Sequence, residues 1–198
     1  MSSAGVRDPP GNGSLRPFAI ISSSYLLFTV TDGAVRMVVL LHANALGFTA
    51  LEVAAMFSLY ELAGVATNLL AGLAGDRYGI RATLLTGLAL QLGGIGMLAG
   101  WSQDFGHGAA VAYVTVAQML CGIAKDLTKL GGKAVTKLVT PEEKQTRLFK
   151  LVAMLTGLKN SLKGVGYFLG AALLEASDAH GYKLTLAVLA ALILAAKK

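Results

Sequence analysis

The chain has 198 residues, of which 55% are hydrophobic and 14% charged, and its formal net charge is +6. A mean hydropathy of +0.63 excludes a soluble domain of average composition and indicates a membrane protein. The positive charge has no accompanying aromatic-basic patch, so it indicates membrane topology rather than nucleic-acid binding, and the single cysteine excludes an internal disulfide.

The predicted elements are a tail and six membrane-spanning helices, which make an all-α membrane protein. Residues 1–17 are rich in Pro, Gly and Ser and are predicted to be a disordered cytoplasmic tail. The apolar stretch that follows is too long for a signal peptide. The six-helix domain covers residues 18–198, with predicted spans at 18–41, 49–73, 82–100, 109–129, 148–174 and 182–196.

The first two spans carry charges where lipid disfavours them. Asp32 and Arg36 are four residues apart, so they share a helix face and can pair. Glu61 lies about 18 Å into the second span, near the bilayer midplane. A carboxyl at this depth can be protonated near neutral pH, which makes Asp32 and Glu61 candidates for proton coupling.

Between the second and third spans lies the charged stretch Gly-Leu-Ala-Gly-Asp-Arg-Tyr-Gly-Ile-Arg, from Gly72 to Arg81. Gly72 lets two helix ends approach, and Gly79 permits the positive φ of a tight turn. Asp76 can cap a helix end, while Arg77 and Arg81 favour the cytoplasmic side. The pattern resembles the cytoplasmic gating loop after the second helix of major facilitator superfamily transporters. An ordinary basic turn is the alternative.

The fourth and fifth spans add four deep lysines. Lys125 and Lys129 flank Asp126 toward the inner end of the fourth span. Lys159 and Lys163 lie about 16 and 22 Å into the fifth. Ionisable groups at such depth cost several kcal/mol and usually face a functional cavity. Alternatively, the opposite charges only hold helices together.

The sixth predicted span has only 15 residues before the terminal lysines, fewer than a span usually needs. Transporters of the major facilitator type have two six-helix halves with the substrate between them. We therefore expect one N-terminal half, either from a truncated gene model or as a half-size protein that dimerises.

The deep charges include more cations than carboxylates, which favours a small, multiply charged anion as cargo. We expect spans one, two, four and five to surround a polar cleft. No catalytic residue or metal ligand is predicted. The candidate substrate-binding residues are Arg36, Asn68, Lys125, Lys129, Lys159, Asn160 and Lys163.

Lysine and arginine placement predicts the orientation. With the N-terminus inside, cytoplasmic segments hold ten basic residues, whereas the opposite loops hold only Lys183. This bias predicts that both termini are cytoplasmic. Trp101 and Phe105 would lie at the outer end of the third span, where they fit an interfacial aromatic belt. His42 would lie at the outer mouth, as an interfacial residue or, alternatively, a proton relay.

Several strings over about residues 25–175 carry a family resemblance. They are Thr-Asp-Gly-Ala-Val-Arg-Met at 31–37, Leu-His at 41–42, Leu-Tyr-Glu at 59–61, Thr-Asn-Leu at 67–69, Gly-Ile-Ala-Lys-Asp-Leu-Thr-Lys at 122–129 and Leu-Thr-Gly-Leu-Lys-Asn-Ser-Leu-Lys-Gly at 155–164. These strings resemble the organoarsenical efflux permease family (ArsJ type), although Gly131-Gly132 stands where Ser-Ala-like residues are expected. The resemblance implies export of 1-arseno-3-phosphoglycerate and a functional link to a partner glyceraldehyde-3-phosphate dehydrogenase.

Three functions compete. The first is a plasma-membrane exporter of an arsenylated anion, and the second is an exporter of organophosphates or drugs on the same scaffold. The third is a half-permease that does not transport. An enzyme is least favoured, because the sequence has no nucleophile–base pair, no His-x-x-x-His motif and no Gly-Lys-Ser/Thr phosphate loop. No cofactor is predicted.

Overall fold

The computed structural model describes residues 16–102, 104–138, 145–176 and 181–196, which form six α-helices. Their lengths range from 16 to 32 residues. The helices are α1 (Arg16–Ala45), α2 (Ala50–Tyr78), α3 (Ile80–Ala99), α4 (His107–Leu138), α5 (Gln145–Glu175) and α6 (Gly181–Ala196).

Four helices are long and apolar enough to cross a membrane by length and composition. Their apolar windows are Ser22–Ala45, Ala50–Leu70, Arg81–Ala99 and His107–Leu130. In α6 the apolar part, Gly181–Ala195, is shorter. The 31-residue α5 is long enough, but its lysines and other polar residues lower its hydropathy. The described residues therefore contain four clear spanning candidates and two further helices packed with them.

The bundle is organised around two helix pairs. Helix α1 packs along α5, and α2 packs along α4, while α3 and α6 cover the remaining sides of α4 and α1. The apolar core lies between α1, α3, α4 and α6, where Val38, Leu98, Leu186 and Ile193 are fully buried. Helices α2 and α5 contribute little to this core, so their facing sides are left for polar side chains.

Glycines bring the helices of each pair into backbone contact. A Cβ atom at Gly33 of α1 would meet the main-chain oxygen of Lys163 on α5 at 2.8 Å. A Cβ at Gly122 of α4 would collide with the main-chain carbonyl of Tyr60 on α2. Close approach through small residues is typical of helix packing in membranes. These contacts bring Lys163 close to α1 and Tyr60 close to α4.

The end of the bundle where α3 finishes and α4 begins, here called the Trp101 end, is closed by aromatic rings. The ring of His42 stacks on Tyr182 at 3.8 Å and meets Trp101 edge-on at 4.9 Å. Trp101 is only 8% exposed. It therefore belongs to the packed interior rather than to the expected interfacial belt, whereas Phe105 is exposed and packs against Tyr113.

The start of α2 at the same end is fixed by a capping box. The main-chain N–H of Thr49 donates to Glu52 Oε2 at 2.7 Å, and the N–H of Glu52 donates to Thr49 Oγ1 at 3.3 Å. Glu52 Oε1 lies 2.8 Å from Nε2 of His107, the first residue of α4. This contact ties α2 to α4 at the Trp101 end.

At the opposite end, here called the Gly79 end, one residue joins two helices. Helix α2 runs to Tyr78 and α3 starts at Ile80, so Gly79 alone joins the two helices where the predicted spans left residues 74–81 between them. Gly79 has a φ of 80°, which confirms the predicted positive φ. The helix continues through the charged residues because its backbone hydrogen bonds are satisfied internally.

Candidate functional site

A polar cleft of about 190 Å³ lies between α1, α2, α4 and α5, near the middle of these helices. One side is formed by α1 and α5 and the other by α2 and α4, so the cleft lies between the two helix pairs, which also meet where α1 packs against α4. Its walls carry four lysines and two carboxylates. The lining residues are Tyr25, Phe28, Thr29, Asp32, Glu61, Lys125, Lys129, Lys159 and Lys163.

The remaining residues from the sequence predictions lie outside the cleft wall. Arg36 reaches the cleft through its bond to Glu61, whose carboxylate lines it. Asn68 is partly buried further along α2, and Asn160 is exposed on α5. In the predicted gating loop, the side chains of Gly72, Asp76 and Arg77 lie outside the described residues, while Arg81 is exposed.

A chain of ion pairs connects α1, α2 and α4. Arg36 Nη1 donates to Glu61 Oε1 at 3.0 Å, and Lys125 Nζ donates to Glu61 Oε2 at 2.6 Å. Lys129 Nζ donates to Asp126 Oδ1 at 3.0 Å, and Lys125 lies 3.6 Å from the other oxygen of this carboxylate. Both carboxylates thus bridge two cations, an arrangement that offsets part of the cost of burying the charges.

Asp32 and Arg36 each bond to a residue of α2 rather than to each other, as their spacing would have allowed. Asp32 is buried and accepts a hydrogen bond of 2.7 Å from the hydroxyl of Tyr60. Arg36 turns instead toward α2 and pairs with Glu61. The i, i+4 spacing places both side chains on one helix face but does not decide their partners, because neighbouring helices offer better ones.

Tyr60, which the sequence analysis did not single out, organises the site. Its side chain is fully buried, and the guanidinium of Arg36 and the ammonium of Lys125 each lie 4.6 Å from its ring centroid. Cations near an aromatic ring are stabilised by its quadrupole. The signal in the sequence was weak: a tyrosine directly before a deep glutamate, in a helix that already contains many apolar residues.

The lysines of α5 lie one helical turn apart on the cleft side. The ammonium of Lys163 is 5.8 Å from the ring centroid of Tyr167 on the same helix. No ion pair joins Lys163 to a carboxylate within the described parts of the chain, whereas Lys125 and Lys129 each have such a pair. The Lys163 ammonium therefore contributes positive charge to the α5 side of the cleft.

The described ranges give little support for a metal site or for a reactive thiol. These ranges contain no cluster of three His, Cys, Asp or Glu side chains that could hold a metal ion. Cys121 is a buried free thiol that packs where α3 passes α4 at Gly94. What the cleft offers is a set of ammonium groups held in a confined space, which suits electrostatic binding of an anion.

Comparison with protein families and with curated proteins gives two results. The family model for the Major Facilitator Superfamily matches residues 21–196, a range that contains every residue of the cleft. No curated protein matches the chain. Because the family match covers most of the chain, this protein belongs to the major facilitator superfamily, a family of membrane transporters rather than enzymes, and is an integral membrane protein.

Proposed function

We propose that this chain is a six-helix unit of a permease that exports a small, multiply charged organic anion. The observation that carries the proposal is the lining of the cleft, where four lysines face two carboxylates. In a confined cavity of low dielectric constant, an excess of ammonium groups lowers the cost of carrying an anion across the membrane. The proposed cargo is 1-arseno-3-phosphoglycerate, on the resemblance to organoarsenical efflux permeases.

The position of the lysines favours an anion with two charged groups. Lys125 and Lys129 approach the cleft from α4, while Lys159 and Lys163 approach it from α5. A ligand with a phosphate at one end and a second anionic group at the other could contact both helices. Export of such a cargo would give functional coupling to a glyceraldehyde-3-phosphate dehydrogenase that forms the arsenylated product.

A second six-helix unit is part of the proposal, either a C-terminal half or another copy of this chain. One observation supports it: the side chain of Glu61 is 51% exposed at mid-helix, where contact with lipid would be costly. A second unit would cover the cleft and this carboxylate, with all six helices spanning the membrane.

The proposed topology follows the positive-inside rule. Both termini and the Gly79 end would be cytoplasmic, and the Trp101 end would face outward, in the plasma membrane. Asp32 and Glu61 are the proposed proton-coupling groups, since they are the two carboxylates of the cleft wall. Coupling to protons would allow export against a gradient of the anion.

Transport in everted membrane vesicles tests the function. Labelled 1-arseno-3-phosphoglycerate would be generated outside the vesicles by the dehydrogenase with arsenate, and its uptake compared between Lys163→Ala and Lys150→Ala. Lys150 is the matched control because it is exposed on the same helix and lies outside the cleft. We expect uptake to fall about tenfold or more only in the Lys163 variant, since losing one ion pair in a confined site costs at least about 1.4 kcal/mol. Equal uptake in both variants would refute the proposal.

A further inference from the structure

Two cations of the site are already occupied by a carboxylate of the protein itself. Each oxygen of Glu61 bonds a different cation, Oε1 to Arg36 at 3.0 Å and Oε2 to Lys125 at 2.6 Å. A carboxylate or phosphoryl group of a bound ligand would make the same pair of charge-assisted bonds. Glu61 therefore occupies the place of an anionic ligand.

The two cations are positioned by more than Glu61. The ring of Tyr60 lies 4.6 Å from both the guanidinium of Arg36 and the ammonium of Lys125, and Phe57 lies 5.2 Å from the guanidinium. Tyr60 is held in turn by its hydroxyl bond to Asp32. The spacing of the cations would therefore persist if the Glu61 carboxylate moved away.

Glu61, Arg36 and Lys125 differ in exposure in the way that a ligand would need in order to displace the Glu61 carboxylate. Glu61 is 51% exposed, whereas Arg36 and Lys125 are 15% and 19% exposed. Glu61 and Lys125 line the cleft, whereas Arg36 does not line it and is bonded to the Glu61 carboxylate. An anion in the cleft can thus contact Glu61 and Lys125 directly, and it would gain Arg36 by taking the place of the Glu61 carboxylate.

We propose that Glu61 is a resident counter-ion that the transported anion displaces, and that this exchange selects for anions with two charged groups. The inference rests on the proposed function. A monocarboxylate that replaces Glu61 only exchanges one pair of bonds for an equal pair. A phosphate ester brings more charge to Arg36 and Lys125, and its second anionic group can approach Lys159 and Lys163 across the cleft. Displacement also keeps affinity moderate, so the cargo can be released.

Binding to the purified protein in nanodiscs tests the inference. The probe with two anionic groups is 3-phosphoglycerate, which carries a phosphate and a carboxylate, and lactate is the monoanionic probe. In Glu61→Gln the competing charge is removed and the side-chain shape is kept. We expect the dissociation constant of 3-phosphoglycerate to fall about tenfold or more, and lactate binding to become measurable. Glu61→Asp keeps the charge and should stay close to the wild type. Glu175→Gln, at the exposed end of α5, should change nothing.

A measurement on the wild type keeps the inference testable if the Gln variant does not fold. Carbodiimide labelling of Glu61, followed by mass spectrometry, should increase when 3-phosphoglycerate is added, because the displaced carboxylate is released from both cations. A purely structural Glu61 would become more protected or stay unchanged.

The outcomes separate the two proposals. Wild-type binding of 3-phosphoglycerate with weaker or unchanged binding in Glu61→Gln, or with no rise in Glu61 labelling, overturns the counter-ion role and leaves the anion exporter standing. A folded wild-type protein and a folded Gln variant that bind neither probe overturn the anion exporter, and the counter-ion role with it.

Discussion

Replacing Gly166 by alanine should separate α5 from α1 and thereby disturb the lysine side of the cleft. A Cβ atom at Gly166 would collide with the main-chain carbonyl oxygen of Val30, and it would lie 3.2 Å from the main-chain nitrogen of Ala34. These neighbours are helix backbone, so they cannot turn away as a flexible side chain could. Forcing a methyl group into such a contact typically costs about 1–3 kcal/mol.

Gly164 supplies the matched control on the same helix. A Cβ at Gly164 meets nothing within 4 Å, so Gly164→Ala should stabilise α5 by up to about 1 kcal/mol through helix propensity alone. Thermal unfolding of the purified protein, followed by the fluorescence of Trp101, measures both. At about 2–4 °C per kcal/mol for a chain of this size, Gly166→Ala should lower the midpoint by several degrees and Gly164→Ala should not.

A transport assay tests the functional consequence of moving α5. Because Lys163 is three residues from Gly166, a shift of α5 should also reduce uptake of the anion in everted vesicles, whereas Gly164→Ala should transport normally. If both variants unfold at the same temperature, the backbone contact between α1 and α5 does not stabilise the bundle in the way described. The position of Lys163 would then need another explanation.

Two further predictions concern the buried tyrosine and the orientation. Tyr60→Phe keeps the ring near the cations but removes the hydroxyl bond to Asp32, so we expect a loss of about 1–3 kcal/mol, read from thermal unfolding. An unchanged midpoint would show that the bond contributes nothing. For orientation, single cysteines in place of Arg81 and Phe105 are introduced into a Cys121→Ser background. An impermeant maleimide added to intact cells should label Phe105→Cys alone, and labelling of Arg81→Cys would reverse the proposed topology.

The helices and their approximate positions were predictable from the sequence because lipid restricts the spanning structures. Backbone groups must be satisfied within each segment, so long apolar stretches become helices. The boundaries were less predictable: α2 continues past the predicted end at residue 73 to Tyr78, because a helix that leaves the apolar region keeps its hydrogen bonds. The connection between α2 and α3 is shorter than the gap between the predicted spans, because both helices continue into the charged stretch.

The charges of the site could be found in the sequence, but their partners could not. Deep lysines and carboxylates are conspicuous in an apolar chain, which is why Glu61 and Lys163 were singled out. The partner of each charge depends on which helices touch, and this depends on glycine contacts between residues far apart in the chain. Gly122 against Tyr60 is such a contact, and it explains why a tyrosine with no obvious role lies at the centre of the site.

The side-chain bonds between the two helix pairs bear on how the unit could change shape. Helices α1 and α2 pack against α5 and α4 rather than against each other. Among the described residues, two side-chain hydrogen bonds join them, Tyr60 to Asp32 and Glu61 to Arg36. An anion that displaces Glu61 removes one of these bonds and replaces it with its own contacts across the cleft. If the cargo displaces Glu61 as proposed, binding alters the connection between the helix pairs directly, because this carboxylate is also one of the links between α1 and α2.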